Sequence, residues 1–381
     1  MVHLSRPGWR VAAVSAALIT AVAGALPGSA AADDRAAAPS ATPQVIATGL
    51  NNARHLRWSG GSLYVAEAGR GGKGACLPSA EGGDMCLGAT GSITRIRDGR
   101  QRRVVTKLPS LAAADGHSAI GPSDVRVKGM RYTVALGLAG DPTRRSELGP
   151  QGRRLATVST GRLGSSRLTV LADLAAHEAL ENPDKKVRDG QRVLDTNPVA
   201  LLARGRSSFV VDAGGNDLLR YRDRDVETRA VFPSVQVPGP GGAPFPMDAV
   251  PTAAVNGPDR AIYVSQLTGF PFPPNGASIW RVAPGQKPVK YATGLNAVTD
   301  LAFGPDGSLY AVQLSATGLG NFGPGSVVRI PKGGGNEHTT VQAGLPAPYG
   351  ISLHGNAAYV TTHATEAGKG EVVKIALSHS S

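Results

Sequence analysis

The strongest constraint on the fold is a repeated unit, seen most clearly between Tyr291 and Gly335. Alternating apolar residues in VTDLAF predict a first strand, GPDG predicts a turn, and SLYAV and SVVRI predict two further strands. Pro305 suits the first central position of the turn, and Gly307 suits a position with positive φ. Because one small sheet cannot bury both of its faces alone, a chain built from this unit must stack several copies.

Six copies can be recognised by an aromatic anchor in the second strand of each unit. The anchors are Tyr64, Tyr132, Phe209, Tyr263, Tyr310 and Tyr359. The last two intervals between them are 47 and 49 residues, the length of a four-stranded propeller blade, and the longer early intervals leave room for insertions. The sequence therefore predicts an all-β fold, a six-bladed β-propeller with four-stranded antiparallel blades.

The two ends of the repeat region predict how the ring closes. The segment QVIATGL, beginning at Gln44, is a lone strand, and GEVVKIAL, beginning at Gly370, is a third strand with no fourth strand after it. Pairing the two completes the sixth blade and removes both open edges. We expect the propeller to span residues 44–377 and a short tail to occupy 378–381.

Residues 1–32 have the pattern of a secretory signal peptide. Arg6 and Arg10 precede the apolar run VAAVSAALITAVAGAL, and small residues end the segment at Ala32. The run is too short and too rich in alanine and glycine for a membrane anchor. We therefore expect cleavage after Ala32, a disordered leader over 33–43, and a secreted, extracellular monomer with no integral membrane segment in the mature chain.

The charge balance restricts the class of partner. The chain carries a formal net charge of +12, and nine basic residues face only Asp141 and Glu147 between Arg126 and Arg167. Such a surface can attract a cell-wall polyanion, or it can simply be solvated. The basic run contains one aromatic residue, Tyr132, so nucleic-acid binding is not expected.

Two local features lie outside the repeat. Cys76 and Cys86 share one insertion in the first unit, and in an exported chain they are expected to form a disulfide. Metal ligation by two free thiols is the alternative, although no CxxC motif or nearby histidine accompanies them. The segment LADLAAHEALENPD predicts a helix that begins with Asp173 as its N-cap and ends before Pro183.

Several longer segments carry a family resemblance. They include LYVAEAGRGG, VVDAGGNDLLR, YVSQLTGFPFP and DLAFGPDGSLYA, and they are spread from about residue 45 to 377. The chain resembles the ScyD/ScyE family of exported propellers and, more widely, NHL-repeat and gluconolactonase-like six-bladed propellers. It departs from the family at Ser123, where relatives are expected to carry a histidine, and at Thr196 in the triplet TNP. The missing histidine weakens a catalytic interpretation of this part of the molecule.

Candidate site residues follow from blade geometry. The first two strands of a blade are antiparallel, so the start of one and the end of the other meet at one rim, where the longest insertions also leave. In a first interpretation, oxygen atoms at this rim bind a hard cation such as Ca²⁺, which could polarise a lactone or ester carbonyl. The proposed ligands are Glu67, Asp124, Asn197, Asp212 and Asp300.

In a second interpretation, the rim is a non-catalytic docking surface for a small molecule, a glycan or a protein. The residues assigned to it are His55, Gln266, Gln313, Tyr349, His363, Phe270 and Phe272. In a third interpretation, the acids at the strand ends only bond to backbone N–H groups. No catalytic residue is assigned. We expect an extracellular binding or scaffold protein, with a metal-dependent lactonase or esterase-like hydrolase as the alternative.

Overall fold

The computed structural model describes residues 42–79, 83–188 and 190–377, so the predicted signal peptide, almost all of the leader and the tail lie outside the described residues. The strands form six antiparallel blades and two extra hairpins. The described chain opens with β1 (Gln44–Leu50). Blade one contains β2 (Ala53–Ser59), β3 (Ser62–Glu67), β4 (Cys76–Pro78), β5 (Asp84–Arg97) and β6 (Arg100–Ala112). Blade two contains β7 (Pro122–Lys128), β8 (Arg131–Leu136), β9 (Thr157–Arg162) and β10 (Thr169–Asp173).

An extra hairpin precedes each of the next two blades. It is formed by β11 (Val187–Arg188) and β12 (Gln191–Arg192) before blade three, and by β17 (Val235–Pro238) and β18 (Pro244–Met247) before blade four. Blade three contains β13 (Pro198–Arg204), β14 (Ser207–Asp212), β15 (Asp217–Arg222) and β16 (Asp225–Val231). Blade four contains β19 (Pro251–Asn256), β20 (Ile262–Gln266), β21 (Ala277–Val282) and β22 (Val289–Leu295).

The last two blades complete the ring. Blade five contains β23 (Val298–Phe303), β24 (Leu309–Gln313), β25 (Gly325–Ile330) and β26 (Thr339–Leu345). Blade six contains β27 (Ile351–His354), β28 (Ala357–Thr362), β29 (Gly370–Ala376) and β1. The expected closure is confirmed, since β1 pairs antiparallel with β29, with Gln44 opposite Lys374 and Leu50 opposite Gly370.

The repeat correctly predicted where the second strand of each blade lies. All six aromatic anchors lie in the second strand of a blade, and Gly307 in the turn of the defining unit has a φ of 77°. Six of the clusters formed by buried apolar residues each join two neighbouring blades. Phe209 of blade three, for example, belongs to the same cluster as Trp280 of blade four. The stacking that the sequence required is therefore what buries the core.

The first strands of the blades line a central channel, because β2, β7, β13, β19, β23 and β27 contact one another in ring order. The connections that follow β3, β8, β20, β24 and β28 all leave from one side, which we call the insertion face. Blade one differs from the expected unit, because its insertion adds β4 to the sheet and lengthens β5. Cys76 lies opposite Cys86 in that extension, and the predicted disulfide is confirmed.

The helices are short. The predicted helix is α2 (Leu174–Glu181), with Asp173 as its N-cap and Asn182 in a left-handed conformation after its end. The other helical elements are a 3-10 helix over Pro142–Leu148, α1 (Gly149–Gly152), and a 3-10 turn over Pro240–Gly242. Within the described ranges no helix has the length and apolar character needed to cross a membrane.

Candidate functional site

The central channel is spanned by one arginine held between two aspartates. Arg57, in β2, donates to Asp124 Oδ2 at 3.1 Å and lies 3.5 Å from Asp300 Oδ2. Both aspartate side chains are fully buried, whereas 19% of the Arg57 side chain is exposed. Hydrogen bonds between ionised groups are stronger than neutral ones, and the single positive charge of Arg57 offsets part of the negative charge of the two aspartates.

Each of these aspartates also joins two neighbouring blades. Asp124 Oδ2 accepts from the N–H of Leu201, and Asp300 Oδ2 accepts from the N–H of Ile351, both at 2.9 Å. The second oxygen of each aspartate accepts from the N–H of the residue that follows it. A bulge at the start of β7 and of β23 re-aims these side chains. Their oxygens are therefore already used in holding the ring together.

The surroundings favour the charged form of Asp300. Burial acts to raise its pKa, but Arg57, His55 and the N–H of Ile351 outweigh burial and hold that pKa below its ordinary value. The two aspartates likewise raise the pKa of Arg57 against the opposing effect of burial. His55 Nδ1 lies 3.0 Å from Asp300 Oδ2, and neither side chain is exposed. This Asp–His pair therefore has no access to a substrate in this conformation.

The remaining predicted metal ligands lie in two other places. Glu67 accepts hydrogen bonds from Arg103, from the Thr94 hydroxyl and from the N–H of Asn51. Asp212 is bound by the Thr196 hydroxyl and by three backbone N–H groups, one of which belongs to Asn197.

The five predicted ligands are therefore not brought together around one point. Within the residues that the structure describes, no group of three or more His, Cys, Asp or Glu side chains could hold a metal ion. Each acid instead accepts hydrogen bonds from arginine, from hydroxyl groups or from backbone N–H groups, and only the last of these contacts belong to the third interpretation. Ca²⁺ binding stays a prediction without geometric support.

Most of the predicted docking rim is occupied by internal contacts. Gln266 accepts from Trp280 Nε1 at 2.8 Å, and Gln313 accepts from the N–H of Asn296 at 2.7 Å. Tyr349 is half-buried, with the Arg54 guanidinium 4.9 Å from its ring centre and the His55 ring 5.2 Å away.

His363 and Glu366 form a further internal pair, with His363 Nδ1 2.9 Å from Glu366 Oε1. Hydrogen bonds from Lys369 and then from His363 lower the pKa of Glu366 to about 2. Among the seven predicted rim residues, Phe270 alone is an exposed side chain.

Phe270 belongs to an aromatic patch that also contains Phe245 and Phe272. The ring centres of Phe245 and Phe270 are 5.1 Å apart, and those of Phe270 and Phe272 are 6.0 Å apart. Phe270 is 48% exposed, and Phe322, on the adjacent connection of blade five, is 55% exposed. The connection 267–276 and the β17–β18 hairpin build this patch at the insertion face, where the N–H of Gly269 donates to the carbonyl of Asp248.

A buried carboxyl cluster beneath α2 was not predicted from the sequence. A β-carbon placed on Gly215 would lie 3.4 Å from Glu178 Oε2 and 3.6 Å from the carboxyl carbons of Asp212 and Asp217. Glu178 is 3% exposed and Asp217 1% exposed, and one oxygen of Asp217 has no hydrogen-bond partner. Asp195 precedes β13 and its N–H lies 3.4 Å from Glu178 Oε1.

Crowding and burial keep protons on this cluster. Burial and then the charges of Asp212 and Asp184 raise the pKa of Glu178 to about 8. Burial and Asp212 raise the pKa of Asp195 to about 6, although Lys186 acts in the opposite direction. Burial is also the largest cause that raises the pKa of Asp217, well above its ordinary range. At neutral pH Glu178 therefore favours its protonated form, whereas Asp195, with a pKa of about 6, is mostly ionised.

A cavity of about 990 Å³ lies between blades three and four, at the ends of these blades that are opposite the insertion face. Phe209 and Ile262 contribute apolar walls, and Arg229 and Lys287 contribute charge at its edge. None of the predicted site residues lines it, so the predicted rim and this cavity are separate places.

No protein-family model matches the sequence, and no curated protein matches it. Among solved structures, a gluconolactonase from Xanthomonas campestris is 11% identical, with 89% of this chain and 91% of that chain covered and a TM-score of 0.49. A catalytically inactive virginiamycin B lyase from Staphylococcus aureus, with quinupristin, is 10% identical over 88% and 99%, with a TM-score of 0.45. A putative glucose dehydrogenase from Thermus thermophilus is 14% identical over 87% and 99%, with a TM-score of 0.46. These similarities are too distant to transfer an activity, and the class of protein, a six-bladed β-propeller, rests on the strand pairing described above.

Proposed function

We propose that this chain is an exported, non-catalytic binding propeller of the ScyD/ScyE type whose ligand docks on the aromatic patch. The observation that carries the proposal is the exposure of Phe270 and Phe322 at the insertion face. Exposed aromatic groups at a folded surface commonly mark an interaction site. The acids of the channel, together with Glu67 and Asp212, are occupied by internal hydrogen bonds, whereas the aromatic patch is open to a ligand.

The chemistry around the patch favours a neutral carbohydrate. Both connections, GFPFPPNG at 269–276 and GLGNFGPG at 318–325, contain no charged residue. Asn275 and Asn321, in the same two connections, are exposed and can exchange hydrogen bonds with hydroxyl groups. A pyranose ring presents an apolar C–H surface and a hydroxyl edge, so it complements both features.

Co-sedimentation with chitin and cellulose, followed by calorimetry with their soluble oligosaccharides, tests this function. We expect the wild-type chain to bind at least one of these glycans, and Phe270→Ala to weaken that binding at least tenfold. Val289→Ala is the matched control, because Val289 is an exposed apolar residue of blade four that is 53% exposed and lies outside the patch. Absence of binding to every neutral glycan, or equal binding by Phe270→Ala, would overturn the proposal.

Two further measurements test the predicted export and the alternative function. The mass of the chain secreted by a producing cell should correspond to a start at Asp33 if residues 1–32 are removed. The alternative, a Ca²⁺-dependent lactonase or esterase, predicts a stoichiometric metal and a melting temperature that falls in chelator. An unchanged melting temperature in Ca²⁺ and in chelator would set that alternative aside.

A further inference from the structure

The outer hairpin of blade one carries arginine opposite arginine at two successive positions. In the β5–β6 pair, Arg95 lies opposite Arg102 and Arg97 lies opposite Arg100. Directly opposed residues share one face of an antiparallel pair, and so do residues two apart on one strand. These four side chains, here called the arginine grid, therefore occupy the same face of the hairpin.

The grid is exposed and has little compensating negative charge. Arg97, Arg100 and Arg102 are exposed and Arg95 is half-buried. Asp98, in the turn, is the acid of this hairpin tip, and its carboxylate lies 3.3 Å from Arg97. The four arginines and Asp98 contribute to the lining of a groove with a volume of about 550 Å³. The hairpin tip thus offers at least three uncompensated positive charges to solvent.

Blade three provides an internal comparison that shows what the fold itself requires. Its outer hairpin also has a two-residue turn, and its equivalent pairs are Arg220 opposite Glu227 and Arg222 opposite Asp225. Opposite charges face each other there, whereas like charges that face each other destabilise a strand pair. Neither blade four nor blade five has a like-charged pair in the described register of its outer hairpin. Blade geometry therefore does not demand the grid, and an anion bound there would relieve the repulsion within it.

We propose that the arginine grid binds an anionic glycopolymer that carries phosphate or sulfate groups. Guanidinium groups bind such oxyanions through paired, charge-assisted hydrogen bonds. Arginines two residues apart on a strand are separated by roughly 7 Å, so the grid suits a polymer with regularly spaced anions rather than a single ion. The grid contains no aromatic side chain on which bases could stack, which favours a glycopolymer over a nucleic acid.

This surface is distinct from the aromatic patch. The turn between β5 and β6 is at the end of the blade opposite the insertion face, because β5 begins at the insertion face and runs away from it. A neutral glycan on the patch and an anionic polymer on the grid would therefore bind without competing. The two proposals can fail independently.

The sharpest test converts the grid to the charge pattern of blade three. The double variant R100D/R102E should weaken binding to dextran sulfate at least tenfold at about 50 mM salt, and the wild-type affinity should fall steeply as salt rises. The same variant should unfold at a slightly higher temperature, because two repulsive pairs become attractive ones. A purely structural role would change the unfolding temperature but not the affinity.

The matched control is R206D/R224E, which removes the same amount of positive charge from exposed turns of blade three. This control should retain wild-type affinity for dextran sulfate. Equal losses in both variants would show that only the net charge matters, and no loss in R100D/R102E would exclude the grid. Tighter binding of single-stranded DNA than of dextran sulfate by the wild-type chain would also overturn the proposal, because the ligand class would be wrong.

Discussion

The molecule buries acids in two places, and the surroundings shift the pKa of these acids in opposite directions. In the channel, Asp124 and Asp300 share the cation Arg57 and accept backbone N–H groups from the next blade. Beneath α2, Glu178, Asp212 and Asp217 crowd around Gly215. The pKa of Asp300 is lowered and those of the cluster are raised, although the acids of both places are almost completely buried. Burial alone therefore does not decide whether an acid is charged, since the partner decides it.

The largest expected effect comes from removing the channel cation. Arg57→Met should lower the free energy of unfolding by about 3 to 5 kcal/mol, because two buried carboxylates lose their compensating charge. Chemical denaturation at pH 7 measures this loss. The variant R57M/D124N/D300N, which removes the stranded charges, should recover part of the lost stability, since each amide NH2 group leaves one backbone N–H without its acceptor. A loss under about 1 kcal/mol in the single variant would mean that backbone N–H groups alone stabilise the pair.

A smaller change of opposite sign is expected in the cluster. Glu178→Gln replaces a carboxyl whose pKa is about 8 by a neutral group of the same shape. At pH 8.5 the variant should be more stable than the wild type, on the order of 2 kcal/mol, because it cannot develop charge beside Asp212. Glu181→Gln, an exposed position on the same helix, is the control and should change stability little. Equal behaviour of the two variants would contradict the cluster as described.

The smallest effect is a shift of melting temperature with pH, and its sign differs between the two places. The raised pKa of Glu178 means that the folded chain keeps a proton that the unfolded chain releases above its ordinary pKa, so stability should rise as pH falls from 8.5 towards 5. The lowered pKa of Asp300 acts in acid, where stability is lost as pH falls below the ordinary value of 3.8. Scanning calorimetry should therefore show a maximum near pH 5, a few degrees above the value at pH 8.5. A melting temperature that rises steadily towards pH 8.5 would be inconsistent with a protonated cluster.

Features with a local signature could be predicted from the sequence. The aromatic anchors, the turn at Gly307, the helix after Asp173 and the pairing of the first strand with the last all follow from short-range patterns and from the need to remove open edges. The meeting of strand ends was also predicted correctly, since the start of each first strand from blade one to blade five lies opposite the end of the second, as Ala53 does opposite Glu67.

The sequence could not predict which groups these acids contact, because their partners come from distant parts of the chain. Asp300 meets Arg57 from 243 residues away, and Glu67 meets Arg103 across an insertion. No local pattern distinguishes an acid that meets an arginine from one that awaits a cation. The sequence around Glu178 carries no signal of its burial either, because EALE is an ordinary helical sequence, and the burial depends on the contacts of α2 with Gly215 and Thr228 of blade three.

The pairing of β1 with β29 has a consequence for the order of events during folding. The two strands lie at opposite ends of the described sequence, so blade six cannot form until the chain has been synthesised as far as β29. Closing a loop of this length is entropically unfavourable and slow compared with forming a local hairpin. Until that moment, the edges of β1 and β28 remain open to strands of other chains. A nascent chain that pauses before Gly370 is therefore the species most exposed to misassembly.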